Sequence, residues 1–270
     1  MKLMKTKNLL WTMRLYAIAA GLLIMPNVCS AEQPDKKAWF ENEDTLRADL
    51  KRAIADAEIV DETEVSHTLM PIDPEDPQQE WMTIGDKRMV LVAAFMNQYG
   101  TQFYAEPDTF RIQKETGVWV ALPADWKRRA AKFEGLDSVQ VRMRMVQMLG
   151  LGVDCDYDQV VEFYADPDYM FRPAYDPSIN TSTSATSFPA FADETYTVGE
   201  THFREWFGLN QSLAYTGKYA LPWTRLGYTY DWHRGAPHEG LSEYIVSFHT
   251  LVKVKSRESC WSFIQNILQK

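Results

Sequence analysis

Of 270 residues only three are cysteine and five are histidine. No C-x-x-C pair and no Gly-rich phosphate loop occurs. That sets aside dithiol redox chemistry, the common zinc frameworks and P-loop nucleotide binding, all of which need those spacings. No apolar run reaches the ~20 residues of a membrane-spanning helix. No catalytic motif is complete. Gly240-Leu241-Ser242-Glu243-Tyr244 lacks the second glycine of a nucleophile elbow. Asp154, Asp156 and Asp158 open like a calcium loop, but Gln159 stands where the loop needs glycine and Ala165 where it needs a bidentate glutamate. Positive charge is also scarce, with 28 basic against 37 acidic residues. An acidic chain is repelled by nucleic-acid phosphates, so nucleic acid is not an expected partner.

What is present begins with a leader. Lys2, Lys5, Lys7 and Arg14 precede an apolar run from Leu15 to Met25, then Pro26 and small residues up to Ala31. This pattern predicts a secretory signal peptide over 1–31, cleaved after Ala31. A secreted or periplasmic location follows, with no stable membrane anchor after cleavage. Removing the leader's four basic residues leaves 24 basic and 37 acidic, a formal charge of −13. Cys155 and Cys260 remain. In an oxidising compartment they are a candidate disulfide, with two separate buried thiols as the equal alternative.

Residues 32–80 read as a helical lead-in and Pro-rich linker. Leu46, Leu50, Ile54 and Ala57 recur at helical spacing after a candidate Asn42 cap, and three prolines fall between Pro71 and Pro77. A globular domain is expected over 81–270. Met89–Met96 is a continuous apolar run of strand length, expected to be buried on both faces. Thr109–Gln113 and Val118–Leu122 flank a Gly117 turn and predict a hairpin. Pro123 predicts a helix start ahead of the stripe Trp126, Ala130 and Phe133. Capping residues at Asp137 or Ser138 and the spacing of Val141, Met145 and Met148 favour a helix there. Gln159–Tyr164, Leu241–Phe248 and Thr250–Val254 read as strands. Phe203, Trp206, Phe207 and Leu213 suggest a helix interrupted at Gly208, and Trp261–Leu268 a closing helix. Residues 172–198 are irregular. Asn180-Thr181-Ser182 is a formal glycosylation sequon, relevant only in a eukaryotic source. The sum is an α+β fold, a single domain with a mostly antiparallel sheet, helices on one side and an N-terminal helical extension.

The densest stretch is Pro222–Trp232, PWTRLGYTYDW. Trp223, Arg225, Tyr228, Tyr230 and Asp231 are candidate ligand-binding residues, since aromatics offer area and arginine a fork for a carboxylate. The same run also reads as a core strand, Thr224–Tyr230, whose ends an Arg225–Asp231 pair pins. His233, His238 and Glu239 are weak candidate metal ligands, although their spacing matches no zinc signature. Ser242 with a histidine and Asp231 would form a triad if the fold joined them. Glu205, Glu239 and Glu243 lie near aromatics, which suits glycoside chemistry as well as ordinary carboxylates.

These residues resemble a family of secreted bacterial proteins without an established activity. The similarity runs through Leu149-Gly150-Leu151, Val161–Tyr164, Asp168–Pro173, Phe188-Pro189, Phe203–Trp206, PWTRLGYTYDW and Gly240–Tyr244. Where the family has cysteine after Arg-Pro, this chain has Ala174. The resemblance implies secretion and a shared fold. The functional expectation is a non-catalytic binding or interaction protein of the cell envelope, with an unknown protein or small molecule as partner and no cofactor. The alternative is a secreted hydrolase, metal-dependent or glycoside-directed, centred on 223–243.

Overall fold

The computed structural model describes residues 43–104 and 109–269. The leader and the candidate Asn42 cap lie outside them. Helix α1, Glu43–Ala57, has Glu43 and Asp44 in its first turn and buries Leu46, Ala53 and Ala57. Strands β1, Trp81–Ile84, and β2, Lys87–Met96, form an antiparallel hairpin. Met89 to Ala94 are all buried, as the continuous apolar run requires. Helix α2 is Gln98–Thr101, followed by β3, Thr109–Arg111, and β4, Val118–Val120. These two strands do not pair with each other as the Gly117 turn suggests. Strand β3 joins β12, Leu251–Ser259, and β4 joins β11, Tyr244–Val246. Gly117 still supplies a left-handed turn (φ 73°), but the chain leaves it for a different sheet.

Helix α3, Pro123–Arg128, opens on its proline, and α4, Ser138–Met148, opens on a reciprocal Asp137–Gln140 capping box. Then come β5, Gln159–Ala165, β6, Met170–Phe171, β7, Thr197–Val198, and β8, Thr201–His202. Helix α5, Phe203–Ala214, runs unbroken through Gly208, so one glycine does not end a helix whose Phe203, Trp206 and Phe207 anchor it in the core. Strands β9, Tyr228–Tyr230, and β10, Glu239–Ser242, pair with a register shift. The expected strand Leu241–Phe248 is therefore two short strands, β10 and β11, that change partners at Glu243. Helix α6, Cys260–Leu268, starts on a Ser259 cap.

The main sheet has the order β1-β2-β5-β12-β3, every pair antiparallel. One face carries Val90, Val92, Ala94, Val161, Phe163, Val252 and Val254, and packs on Val120, Tyr244 and Val246 of the three-stranded sheet β4-β11-β6. The other face, through Ala93 and Val160, receives Val141 and Met145 of α4, Trp126 of α3, and Phe263 and Ile264 of α6. This is an α+β arrangement, with α3, α4 and α6 gathered on one face of the main sheet and α5 packed separately on Phe171 and Ile245. Each fully buried Val or Phe of such a core contributes about 1.5–3 kcal/mol of transfer free energy.

Residues 43–80 belong to the same compact unit as the other described residues. Leu46, Ala53 and Ala57 pack on Tyr230 and Trp232. Leu69 packs on Leu226 and Tyr228, and Met70 and Ile72 enter the main core on either side of Pro71. No helix among the described residues is long and apolar enough to cross a membrane.

Candidate functional site: an aromatic cavity with one buried carboxyl

Only Tyr228–Tyr230 of the Pro222–Trp232 run is strand. The rest folds back, with Trp223 bridging Thr229. Thr224 holds the loop through Oγ1, which donates to Tyr228 O at 2.6 Å and accepts from Leu226 N at 3.2 Å. Arg225 takes a left-handed backbone (φ 60°), uncommon for a residue other than glycine. Its guanidinium donates to Ala57 O and Glu58 O, both at 2.8 Å, and lies over the Tyr215 ring at 5.0 Å. Arg225 thus supplies the positive end charge that the last turn of α1 lacks.

Asp231 does not pair with Arg225. It is fully buried, accepts from both forks of Arg144 (2.8 and 2.6 Å), and meets Lys132 Nζ at 3.2 Å. Burial alone would raise its pKa, but the bonds and charge of Arg144 and the Lys132 charge outweigh it and hold the carboxyl below the usual range. His233 is exposed, and it is its backbone N–H that reaches Asp231, at 3.2 Å. Burial of part of its ring, with Arg144 nearby, lowers its pKa.

His238 stacks on the Tyr230 ring (centroids 4.6 Å apart), and its Nδ1 lies 3.1 Å from Asp56 Oδ2. Asp56, Glu64 and His238 each bring one ligand atom within 4.8 Å of the others. The fold therefore separates His238 from His233 and Glu239 and joins it to two carboxylates from residues 56 and 64. No sequence pattern signals that grouping. Glu239 instead pairs with Arg129 at 3.4 Å and accepts from Thr68 at 2.8 Å. Ser242 Oγ is buried and accepts from Met70 N at 2.7 Å, and Ser242 N donates to the buried Asp125 at 2.7 Å. Ser242 therefore ties 70 to the core and faces no histidine base. Of the calcium-like acids, Asp154 pairs with Arg47 at 2.8 Å and Asp156 accepts from Asn97 at 3.2 Å.

Cys155 and Cys260 are free thiols. They sit in different apolar clusters, Cys260 under α4 and α6 and Cys155 beside α1 and Trp232. Burial pushes each thiol up to about 11. The candidate disulfide is not formed.

The aromatic run faces a cavity of about 940 Å³. Trp223, Tyr228 and Tyr230 line it, together with Ala94 and Met96 of β2, Tyr104, Trp119 of β4, and Leu149–Leu151 after α4. Arg225 and Asp231 do not. Tyr99, Phe103, Leu213 and Tyr219 also line it and are exposed, at 60–74% of their surface, so its exposed part carries apolar surface beside the exposed Arg111, Gln113 and Lys114. Glu243 is the one acidic side chain among the described lining residues. It sits where β10 hands over to β11, with its N–H donated to Gly227 O at 3.1 Å. Glu243 is 5% exposed, and its Oε1 has no hydrogen-bond partner among the described residues. Burial drives its pKa well above the ordinary 4.5; the Arg172 charge and the nearby Trp223 indole N–H oppose this without overcoming it. The sequence marks Glu243 only as one of three acids beside aromatics. Nothing in its local pattern distinguishes it from the exposed Glu205.

Comparison with protein-family models, with curated proteins and with solved structures finds no match.

Proposed function

We propose that this chain is a non-catalytic binding protein of the cell envelope, secreted or periplasmic, that holds a small molecule in the aromatic cavity. One observation carries the reading. A cavity of about 940 Å³, lined mainly by tryptophan, tyrosine and aliphatic side chains, has one buried carboxyl among its described lining residues, Glu243, whose Oε1 has no hydrogen-bond partner among the described residues. Its size is at the upper end of small-molecule sites, and an apolar wall with few polar groups is their usual make-up. The leader pattern of 1–31 and the resemblance to secreted bacterial proteins support the location.

The hydrolase alternative draws less support. Ser242 is committed to Met70, His233 points to solvent, and Asp231 is locked to Arg144. Glycoside hydrolysis needs two facing carboxyl groups, and the described cavity wall has one.

The test is titration of purified protein with N-phenyl-1-naphthylamine, an uncharged dye that fluoresces in apolar sites. Saturable one-to-one binding is expected. The exposed-rim variant Leu213→Asp/Tyr219→Asp should bind about tenfold more weakly, a loss of about 1.4 kcal/mol, with unchanged thermal unfolding. Absence of saturable binding, or equal binding by the variant, overturns the reading.

A further inference from the structure

The chemistry of the buried Glu243 carboxyl on the cavity wall narrows what the cavity takes, an inference that rests on the binding reading above. Three kinds of head group can meet a buried carboxyl: a cation, an anion, or an uncharged oxygen. Each makes a different demand on Glu243 and on its neighbours.

Arg172 decides between them. It is 1% exposed, lies over the Tyr244 ring, and is close enough for its charge to reach the Glu243 carboxyl. Its guanidinium is spent on protein acceptors: Ser178 O, Gly227 O, Met70 O, Thr181 O and the Tyr244 hydroxyl, all at 3.0–3.4 Å. No carboxylate lies within ion-pair distance of it among the described residues. A ligand ammonium beside Glu243 would face this fixed positive charge without water to screen it. A ligand carboxylate beside Glu243 would not reach Arg172, which does not line the cavity and is bonded through all three nitrogens to protein acceptors, and the cations that do line it, Arg111 and Lys114, are exposed. An uncharged oxygen meets neither penalty. A carboxyl buried without a cationic partner holds its proton and presents an O–H donor. The other titratable groups that feel the Glu243 charge are Tyr215 and Tyr228. Both are held above the ordinary tyrosine pKa, first by burial, so neither adds a charge at neutral pH.

We propose that the cavity takes an uncharged lipophilic molecule carrying a ketone or hydroxyl oxygen, which accepts a hydrogen bond from the Glu243 carboxyl. The apolar body rests on Trp119, Trp223 and Tyr104, and the rim residues Tyr99, Phe103 and Tyr219 cover its outer part. Glu243 acts here as a specificity-determining residue and not as an acid catalyst, since no second group on the described wall is placed to activate water.

The experiment is displacement of N-phenyl-1-naphthylamine by four naphthalenes of similar size: 2-acetylnaphthalene, 2-ethylnaphthalene, 2-naphthoate and 2-naphthylmethylammonium. In the wild type the ketone should compete at least tenfold better than the other three. Glu243→Gln, which keeps an N–H donor in the same place, should retain most of that preference. Glu243→Met should lose it and bind the ethyl compound as well as the ketone. Tighter binding of the ammonium overturns the proposal, because Glu243 would then act as an anion. Tighter binding of the naphthoate overturns it in favour of a cationic site on the wall, at Arg111 or Lys114. Dye binding with no preference for the ketone overturns the ligand class and leaves the cavity reading standing. No dye binding by the wild type removes both. Should Glu243→Met fail to fold, the wild-type ranking and Glu243→Gln decide alone.

Discussion

Asp231 accepts both forks of the Arg144 guanidinium, at 2.8 and 2.6 Å, with the carboxylate wholly out of solvent. The pair joins the middle of α4 to the end of β9 and so fixes one wall of the cavity. Removing one partner of a buried pair strands the other charge, at about 3–5 kcal/mol. Asp231→Asn should therefore lower stability by about that much in urea unfolding. Arg144→Met/Asp231→Leu, which removes both charges, should lose less. The sign of the pH effect follows from the depressed carboxyl. Its contribution is complete above the ordinary value of 3.8 and is lost as pH falls through the lower folded value. Below that value the wild type and Asp231→Asn should converge.

The two bonds from Arg225 to the carbonyls of Ala57 and Glu58 tie α1 to the loop above the cavity. A charged hydrogen bond of this kind is worth about 1.5–3 kcal/mol. Arg225→Met should cost about 2–3 kcal/mol and speed amide exchange at the C-terminal end of 43–57 first. Lysine is shorter and lacks the planar guanidinium that lies over Tyr215, so Arg225→Lys should recover only part. Exchange that speeds up evenly along the chain would count against this link.

Cys155 and Cys260 should titrate as two free thiols in unfolded, unreduced protein from which the 1–31 leader has been removed. In the native state both should react slowly with a thiol reagent at neutral pH, because burial holds them near 11 and the thiolate is the reactive form. Finding no thiol after unfolding would show that the two are bonded.

Glu243 should oppose folding at neutral pH. Its folded pKa lies above its unfolded one, so the unfolded chain ionises first as pH rises past the ordinary 4.5. Stability then falls by about 1.4 kcal/mol for every pH unit over which the folded carboxyl keeps its proton. Glu243→Gln should be more stable than the wild type at pH 7 by urea unfolding, with the gain shrinking to near zero below pH 4.5. An equal difference at both pH values would mean that Glu243 is ionised in the folded protein.

The parts of this fold legible in the sequence are those written locally. The Asp137–Gln140 capping box starts α4 where the spacing of Val141 and Met145 places it. The apolar run of β2 is buried as its composition requires. Pairing was not legible, because it depends on distant partners. The Gly117 turn looks like a hairpin, yet β3 and β4 join strands more than a hundred residues away. Within PWTRLGYTYDW the alternation suggests one strand, but Arg225 is drawn into a left-handed conformation by carbonyls of α1 that no local pattern reveals. Three aromatic members of the run, Trp223, Tyr228 and Tyr230, do face a cavity. The charged residues beside them, Arg225 and Asp231, are structural, and the buried carboxyl lies twelve residues beyond Asp231 in the handover between two short strands. Burial without a partner made Glu243 distinctive, and burial is a property of the assembled core.

The central claim is that a protonated Glu243 carboxyl, on the wall of a largely apolar cavity, donates to an uncharged ligand. Infrared difference spectroscopy of wild type against Glu243→Gln at pH 7 tests it most directly. A carboxylic-acid carbonyl band that is present in the wild type, missing in the variant and shifted on adding 2-acetylnaphthalene is the predicted result. A carboxylate signature for Glu243 at that pH, or an acid band that the ketone leaves unmoved, would contradict the account.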